Sequence, residues 1–307
     1  MSNVGGPRSH GDVKTAIVTG AASGLGLRIA ETLCETGMRV ILADIDIDRC
    51  RIEAENLESI FGTGTKAEYL DLGDKRSIKG FTDVFLSSND RLDILVNNAG
   101  VMNPPFLRTS QGHEPHWGIN HLGHFSLTVL LLKALINTEG SRVVTQSSIV
   151  HDSADIDFTD IDSERRYRPW QAYKQSKLAT LLFSSELQRR LDNHHLKDPI
   201  SVACHPGLVN TPLYRNGRSL GLLLRPFMHS IGDGAAPCII ACTGNDVKGG
   251  DFYGPEGWRG FRGKPVKVEP LGRGADARLA TRVWDLSKTM TGLDPDIVLS
   301  QQSKTNH

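Results

Sequence analysis

Tyr173 and Lys177 stand four residues apart in Tyr173-Lys174-Gln175-Ser176-Lys177, a spacing that puts both side chains on one face of a helix. A phenol ionises near pH 10, so its use as a proton acceptor near neutrality needs a shift of about three units, or about 4 kcal/mol. One positive charge about 4 Å away at an effective dielectric of about 20 is worth about 4 kcal/mol. The lysine could therefore supply most of the shift, although any helix can carry such a pair and the spacing alone does not establish acid/base chemistry. A second group is Thr19-Gly20-Ala21-Ala22-Ser23-Gly24-Leu25-Gly26. Glycines let a chain turn tightly from strand to helix and bring bare helix N–H groups against an anion such as a pyrophosphate. They also close ordinary turns. The added signal is Asp44, the eighteenth residue after Gly26, close to the separation of roughly 20 at which an acidic side chain reaches the ribose of a bound dinucleotide.

The elements that must hold these groups follow from hydrophobic periodicity. Thr15-Ala16-Ile17-Val18 reads as a buried strand running into the glycine turn, and Ile29, Ala30, Leu33 and Cys34 recur at helical spacing behind it. The strand Arg39 to Ala43 ends at Asp44. A polar helix (Asp48 to Ile60) leads to the strand Lys66 to Leu70, which ends at Asp71-Leu72. A helix from Lys75 to Leu86 precedes the strand Leu92 to Val96, which stops at Asn97-Asn98-Ala99-Gly100. A long helix (Gly112 to Leu135) precedes the strand Arg142 to Thr145, closing on Ser147-Ser148. The helix Trp170 to Leu191 carries Tyr173 and Lys177, and the strand Ile200 to Cys204 is halted by His205-Pro206-Gly207. A helix at Ala235 to Cys242, a glycine-rich piece at Gly249 to Gly263 and a helix at Ala275 to Met290 complete the pattern. Strand alternating with helix predicts the α/β class: a single Rossmann-type, doubly wound parallel sheet with helices on both faces and ligands at the carboxyl ends of the strands.

One domain is expected over 13–292, between a flexible N-terminal segment (1–12) and a flexible tail (293–307). Within it, 149–169 reads as a charged surface insert. The aperiodic apolar segment 208–231, with Leu213, Leu220, Leu222, Leu223, Leu224, Phe227 and Met228, reads as a substrate lid, because structureless stretches of this length are usually functional. The alternative for its leucines is a homo-oligomer contact. Lys+Arg 35 against Asp+Glu 35 leaves formal net charge zero, with nothing to attract nucleic acid or an anionic membrane. Five cysteines without a C-x-x-C pair suggest neither a disulfide framework nor a zinc site; Cys238 and Cys242 share a helix face and read as core. The first twelve residues lack the apolar centre of a signal peptide and no apolar run reaches eighteen residues. The expectation is a cytoplasmic protein without a membrane span.

Taken together, Thr19-Gly20-x-x-x-Gly24-x-Gly26, Asn97-Asn98-Ala99-Gly100, a serine at a strand end, Tyr173-x-x-x-Lys177 and Pro206-Gly207-x-Val209-x-Thr211 fall in order at successive strand ends. In this the chain resembles the short-chain dehydrogenase/reductase family over about Lys14 to Thr211. The resemblance implies hydride transfer with NAD or NADP, Tyr173 as general acid/base and Ser148 bonded to the substrate oxygen. Lys177 would bind the nicotinamide ribose and lower the tyrosine pKa, and Asn120 would hold a relay water. It places Gly20, Ser23, Gly24, Leu25 and Gly26 at the pyrophosphate, Asp71 and Leu72 at the adenine, and Asn97, Asn98, Ala99 and Gly100 along the cofactor. Pro206, Gly207, Val209 and Thr211 fall at the nicotinamide. Asn120-His121-Leu122-Gly123-His124-Phe125 and the 149–169 insert look like the retinol dehydrogenase-like branch, which favours apolar alcohols. Asp44-Ile45, where NADP users of that branch tend to have a neutral residue and Arg, points to NAD over NADP, and a membrane anchor of the kind many members carry is not seen. His113, His116, His121 and His124 invite a metal reading, but hydride chemistry requires none and no metal site is expected. Trp117 and Trp170 read most simply as packing residues, with lining of the pocket the alternative for either. The expected activity is NAD-dependent interconversion of a small hydrophobic alcohol and its ketone or aldehyde. The alternatives are an NADP-dependent carbonyl reductase and a non-catalytic NAD(H)-sensing regulator.

Overall fold

The computed structural model describes residues 13–209, 228, 230–257 and 260–305. Thr211 and most of the expected lid lie outside the described residues.

β1 (Thr15–Thr19) is buried along its whole length, as expected of β-branched and small apolar residues in the middle of a parallel sheet. α1 (Gly24–Glu35), β2 (Arg39–Asp44), α2 (Ile47–Phe61), β3 (Lys66–Tyr69), α3 (Lys75–Ser88) and β4 (Ile94–Asn97) follow. Then come α4 (His124–Ile136), β5 (Arg142–Gln146), α5 (Pro169–Asn193), β6 (Ile200–Cys204), α6 (Ile231–Thr243), β7 (Phe252–Pro255), β8 (Pro265–Lys267), α7 (Ala277–Thr291) and α8 (Pro295–Thr305). The eight strands run in the order β3-β2-β1-β4-β5-β6-β7-β8, parallel except for β8 against β7. The chain reverses direction of travel across the sheet between β1 and β4, where open α/β sheets bind ligands. Thr19 pairs with Ala43, Asn97 with Thr145 and Gln146 with Cys204, so these carboxyl ends finish at one level.

The two faces are covered by separate cores. Ile29, Leu33, Ala235, Cys238 and Cys242 from α1 and α6 pack on Val18, Val40 and Val144. Ile78, Phe125, Leu131, Phe183 and Leu187 from α3, α4 and α5 pack on the other face, joined by Trp284 and Leu299. The segment His116–Ile136 is long and apolar enough to cross a membrane by length and composition, but 78% of its most apolar window is buried inside the fold.

Four expectations change. The long helix starts at His116, not Gly112, and its first stretch, His116–Gly123, is a π-helix. Two glycines bring this wide turn against its neighbours: a Cβ on Gly123 would stand 2.4 Å from the Leu72 carbonyl oxygen, and one on Gly118 2.6 Å from a Thr109 methyl. The 149–169 insert is anchored, since Ala154 and Ile156 are buried and Phe158 and Ile161 pack with them on Trp117, Leu178 and Leu182. Its apolar residues are spaced between acidic ones, which hid the pattern. Within the expected tail, Pro295–Thr305 forms α8, which buries Leu299 completely, and Asp296 pairs with Arg190 at 2.6 Å and Lys288 at 2.8 Å. Finally, the glycine-rich piece contributes β7, and the sheet closes with the antiparallel β8.

Candidate active site

The glycine turn joins β1 to α1. Gly20 and Gly24 have φ of +67° and +59°, the left-handed region that side chains disfavour. A Cβ on Gly26 would lie 2.1 Å from the Gly20 carbonyl oxygen, so the first turn of α1 is packed on the loop that feeds it. In front of Gly24 nothing stands within 4 Å of such an atom. Ser23 is the N-cap and makes no side-chain capping bond. Asp44 braces the turn, one carboxylate oxygen accepting Ala22 N–H and the other Asp46 N–H, each at 3.0 Å.

Thr19 ties the turn to the end of β4. Its hydroxyl oxygen accepts Asn98 N–H at 2.9 Å and Ala99 N–H at 3.0 Å. Asn98 donates through Nδ2 to Thr19 O at 2.8 Å and accepts Gln146 Nε2 at 3.1 Å. Asn97 is a correction. As the last residue of β4 its side chain goes to the opposite face from Asn98 and donates to Thr128 on α4 at 3.0 Å, away from the cavity.

Asn120 is fully buried behind the residues that line the cavity, and its side chain is spent on the framework. Oδ1 accepts Val101 N–H at 2.8 Å, and Nδ2 donates to Val101 O at 3.1 Å and Ser176 Oγ at 3.0 Å. Its carbonyl oxygen accepts His124 Nδ1–H at 2.9 Å. His124 Nε2, 2.9 Å from Thr19 Oγ1, is then the acceptor for that hydroxyl. Burial holds this imidazole neutral, with its pKa lowered to about 4. The four histidines thus serve four places: His113 meets Asp162, His116 meets Glu114 and His121 meets Ser287.

Lys177 and Tyr173 project from the first turns of α5, each about 6% exposed. Lys177 Nζ donates to Gln146 O at 3.0 Å, and burial lowers its pKa to about 8, leaving it mostly charged at neutral pH. Ser147 Oγ donates to Lys177 O at 2.7 Å, locking β5 to α5. Ser148 caps a short 3-10 turn, Ile149–Ser153, and its carbonyl accepts His151 Nδ1–H at 2.7 Å.

These groups line one cavity of about 350 Å³. It runs from Gly20, Ser23, Gly24, Leu25 and Gly26 past Asp44, Asp71 and Leu72, beneath Asn98, Ala99 and Gly100, to Ser148, Tyr173 and Lys177. Pro206, Gly207 and Val209 close its far wall. The residues missed are Thr19, Ala43, Ile45, Leu70, Val101, Ile119, Gln146 and Ser147. All but Ile119 adjoin strand ends already singled out, and could have been found there. An elongated cavity with a helix N-terminus and a carboxylate at one end, and a phenol beside a buried ammonium at the other, fits a dinucleotide with its reactive end at Tyr173.

The comparisons agree with this architecture. The family model for short chain dehydrogenases matches residues 14–219. Human retinol dehydrogenase 12 is 36% identical over 291 residues, covering 91% of this chain and 87% of that protein. Mouse polyprenol dehydrogenase is 37% identical over 294 residues, covering 91% and 84%. Among solved structures, an uncharacterized protein from Mycobacterium paratuberculosis superposes with a TM-score of 0.77 at 36% identity, covering 92% of this chain and 97% of that one. Pseudomonas aeruginosa RhlG in complex with NADP superposes with a TM-score of 0.63 at 25% identity, covering 78% and 93%. The chain belongs to the short-chain dehydrogenase/reductase family, in its retinol dehydrogenase-like branch, and is an NAD(P)-dependent oxidoreductase.

Proposed function

We propose that this enzyme interconverts a hydrophobic alcohol and its ketone or aldehyde using NAD. The observation that carries the reading is the shared cavity, with Ser148, Tyr173 and Lys177 at one end and the glycine turn and Asp44 at the other. The turn N–H groups and Asp44 would hold the pyrophosphate and the adenosine ribose, Asp71 and Leu72 would flank the adenine, and Val209 would border the nicotinamide. When bound, the nicotinamide supplies or accepts the hydride. Ser148 Oγ would bond the substrate oxygen and fix it before Tyr173. In oxidation the Tyr173 phenolate oxygen takes the hydroxyl proton, and in reduction the phenol returns one. The Lys177 ammonium favours the phenolate by Coulomb attraction inside a site shielded from water. Asn120 would act from behind, holding Val101 and Ser176 in place. The apolar alcohols named for the retinol and polyprenol dehydrogenases support an apolar substrate.

Tyr173→Phe tests the reading. The variant should lose at least about a hundredfold in kcat, the low end of what a general acid/base supplies, while NADH binding measured by fluorescence stays within about twofold of wild type, inside the spread of near-neutral changes. Retention of more than a tenth of kcat would remove Tyr173 from the chemistry.

A further inference from the structure

The two tryptophans expected to pack in the core part company. Trp117 has no exposed surface, whereas Trp170 is 45% exposed. Trp170 lies in the first turn of α5, one turn before Tyr173, with ring centroids 5.8 Å apart and planes inclined by 31°. Tyr173 has a second ring neighbour, on a branch that starts inside the fold. His116 lies 5.9 Å from Tyr173 and 6.4 Å from Tyr167, and Phe106 lies 4.9 Å from Tyr167. The ring that carries the phenol of the site therefore has two aromatic neighbours, the exposed Trp170 and the buried His116.

The buried branch is held by hydrogen bonds. His116 is fully buried, its Nδ1–H donating to Glu114 at 2.5 Å and its Nε2 accepting Asn103 N–H at 3.1 Å, so the ring is the neutral Nδ1–H tautomer and cannot turn. Tyr167 donates its hydroxyl proton to Pro104 O at 2.8 Å. An indole ring left half open to water lacks the burial that a tryptophan ordinarily gains, and a π-face in that position, beside the Tyr173 ring, suits offset stacking with another planar group. Saturated tails of equal size gain the same burial but not the stacking.

We propose that Trp170 is a specificity-determining wall of the alcohol pocket, favouring substrates with an aryl or other planar unsaturated group beside the carbinol carbon. This rests on the dehydrogenase reading above. The pair 1-phenylethanol and 1-cyclohexylethanol separates planarity from size. Wild type should prefer the phenyl alcohol in kcat/KM by about three- to tenfold, the range expected of an aromatic pair. Trp170→Ala should bring the ratio to about one, and Trp170→Phe should restore most of it. Calorimetric titration of both alcohols into the three proteins, saturated with NADH, gives the same comparison without turnover. A ratio unchanged in Trp170→Ala, or no preference in wild type, overturns the wall even if both alcohols are oxidised. An aryl preference in binding that vanishes in Trp170→Ala, with no turnover by wild type, keeps the wall and overturns the dehydrogenase reading.

Discussion

Replacing Asp44 tests which dinucleotide the turn accepts. A ribose 2′-phosphate carries close to two negative charges at neutral pH. Set about 4 Å from a carboxylate, it costs about 2 kcal/mol in bulk water and about 8 kcal/mol at an effective dielectric of 20. Asp44 is half-buried at the end of β2, so the cost falls between those limits. Relief would need a cation. Arg28 is held by Glu31 at 2.6 Å and Glu35 at 3.3 Å, and Arg39 sits at the opposite end of β2, donating to Thr15 at 3.1 Å and to Asn89. The next residue, Ile45, is uncharged and 60% exposed. Even the lower figure is about thirtyfold, so kcat/KM should favour NAD over NADP by at least that factor. Asp44→Ser should shrink the ratio at least about tenfold, mainly by a gain with NADP. Activity with NAD should also fall, because Ala22 and Asp46 lose their shared acceptor. Steady-state kinetics with each cofactor and one saturating alcohol decides the point. Equal use of both cofactors by wild type, or an unchanged ratio in Asp44→Ser, would refute the electrostatic argument.

Gly26→Ala forces a methyl group onto the Gly20 carbonyl; NADH affinity should fall more than about tenfold, against a milder loss in Gly24→Ala, where space is open and the cost is about 1–2 kcal/mol of backbone strain. Fluorescence titration and thermal melting of both variants check this, and equal effects would contradict it. Burial lowers His121 and His205 to about 3 and His124 to about 4. Below pH 6.5 the unfolded chain takes up protons that the fold refuses, so stability is lost as pH falls from 6.5 towards 4 and 3. At pH 5.5 the three together cost about 4 kcal/mol, which urea unfolding between pH 7.5 and 5 will show, and a flat profile would be inconsistent with neutral buried rings. Leu299→Ala should lower the unfolding free energy by about 2–5 kcal/mol with NADH binding unchanged; a surface-like effect under 0.5 kcal/mol would mean that α8 is not docked in solution.

The parts of the site legible in the sequence are those made by local pattern at strand ends. The glycine turn, Asp44, Asn98 to Gly100 and Ser148 follow from where an apolar run stops, the Tyr173–Lys177 pair follows from helical spacing, and the sheet order brings the stops together. Asn97 and Asn98 are neighbours of equal chemistry, and only the pleat of β4 decides which one meets the cavity. Asn120 looks like a cavity residue from its motif, yet the π-turn directs its side chain to Val101 and Ser176. A widened turn leaves little trace in apolar periodicity. α8 was invisible for a different reason: it is held by Leu299 against α4 and by the Asp296 ion pair with Arg190, contacts made across long stretches of chain. Trp170 and Trp117 could be told apart only by the packing of the insert.

The docked C-terminal helices bear on how the protein is made. Synthesis runs from the amino end, and the glycine turn and six neighbouring parallel strands are all encoded before the residue after Cys204. A ribosome that halted at a stop codon just past Cys242 would release a chain with those parts in hand. It would lack Trp284, which packs edge-on to Phe125 and stacks on Phe183, and which lies beneath the Arg190 guanidinium at 4.8 Å. The rear of α5 would face water, while its front carries Tyr173 and Lys177. Nonsense mutations late in the gene therefore strike the Tyr173–Lys177 end of the cleft and spare the glycine turn.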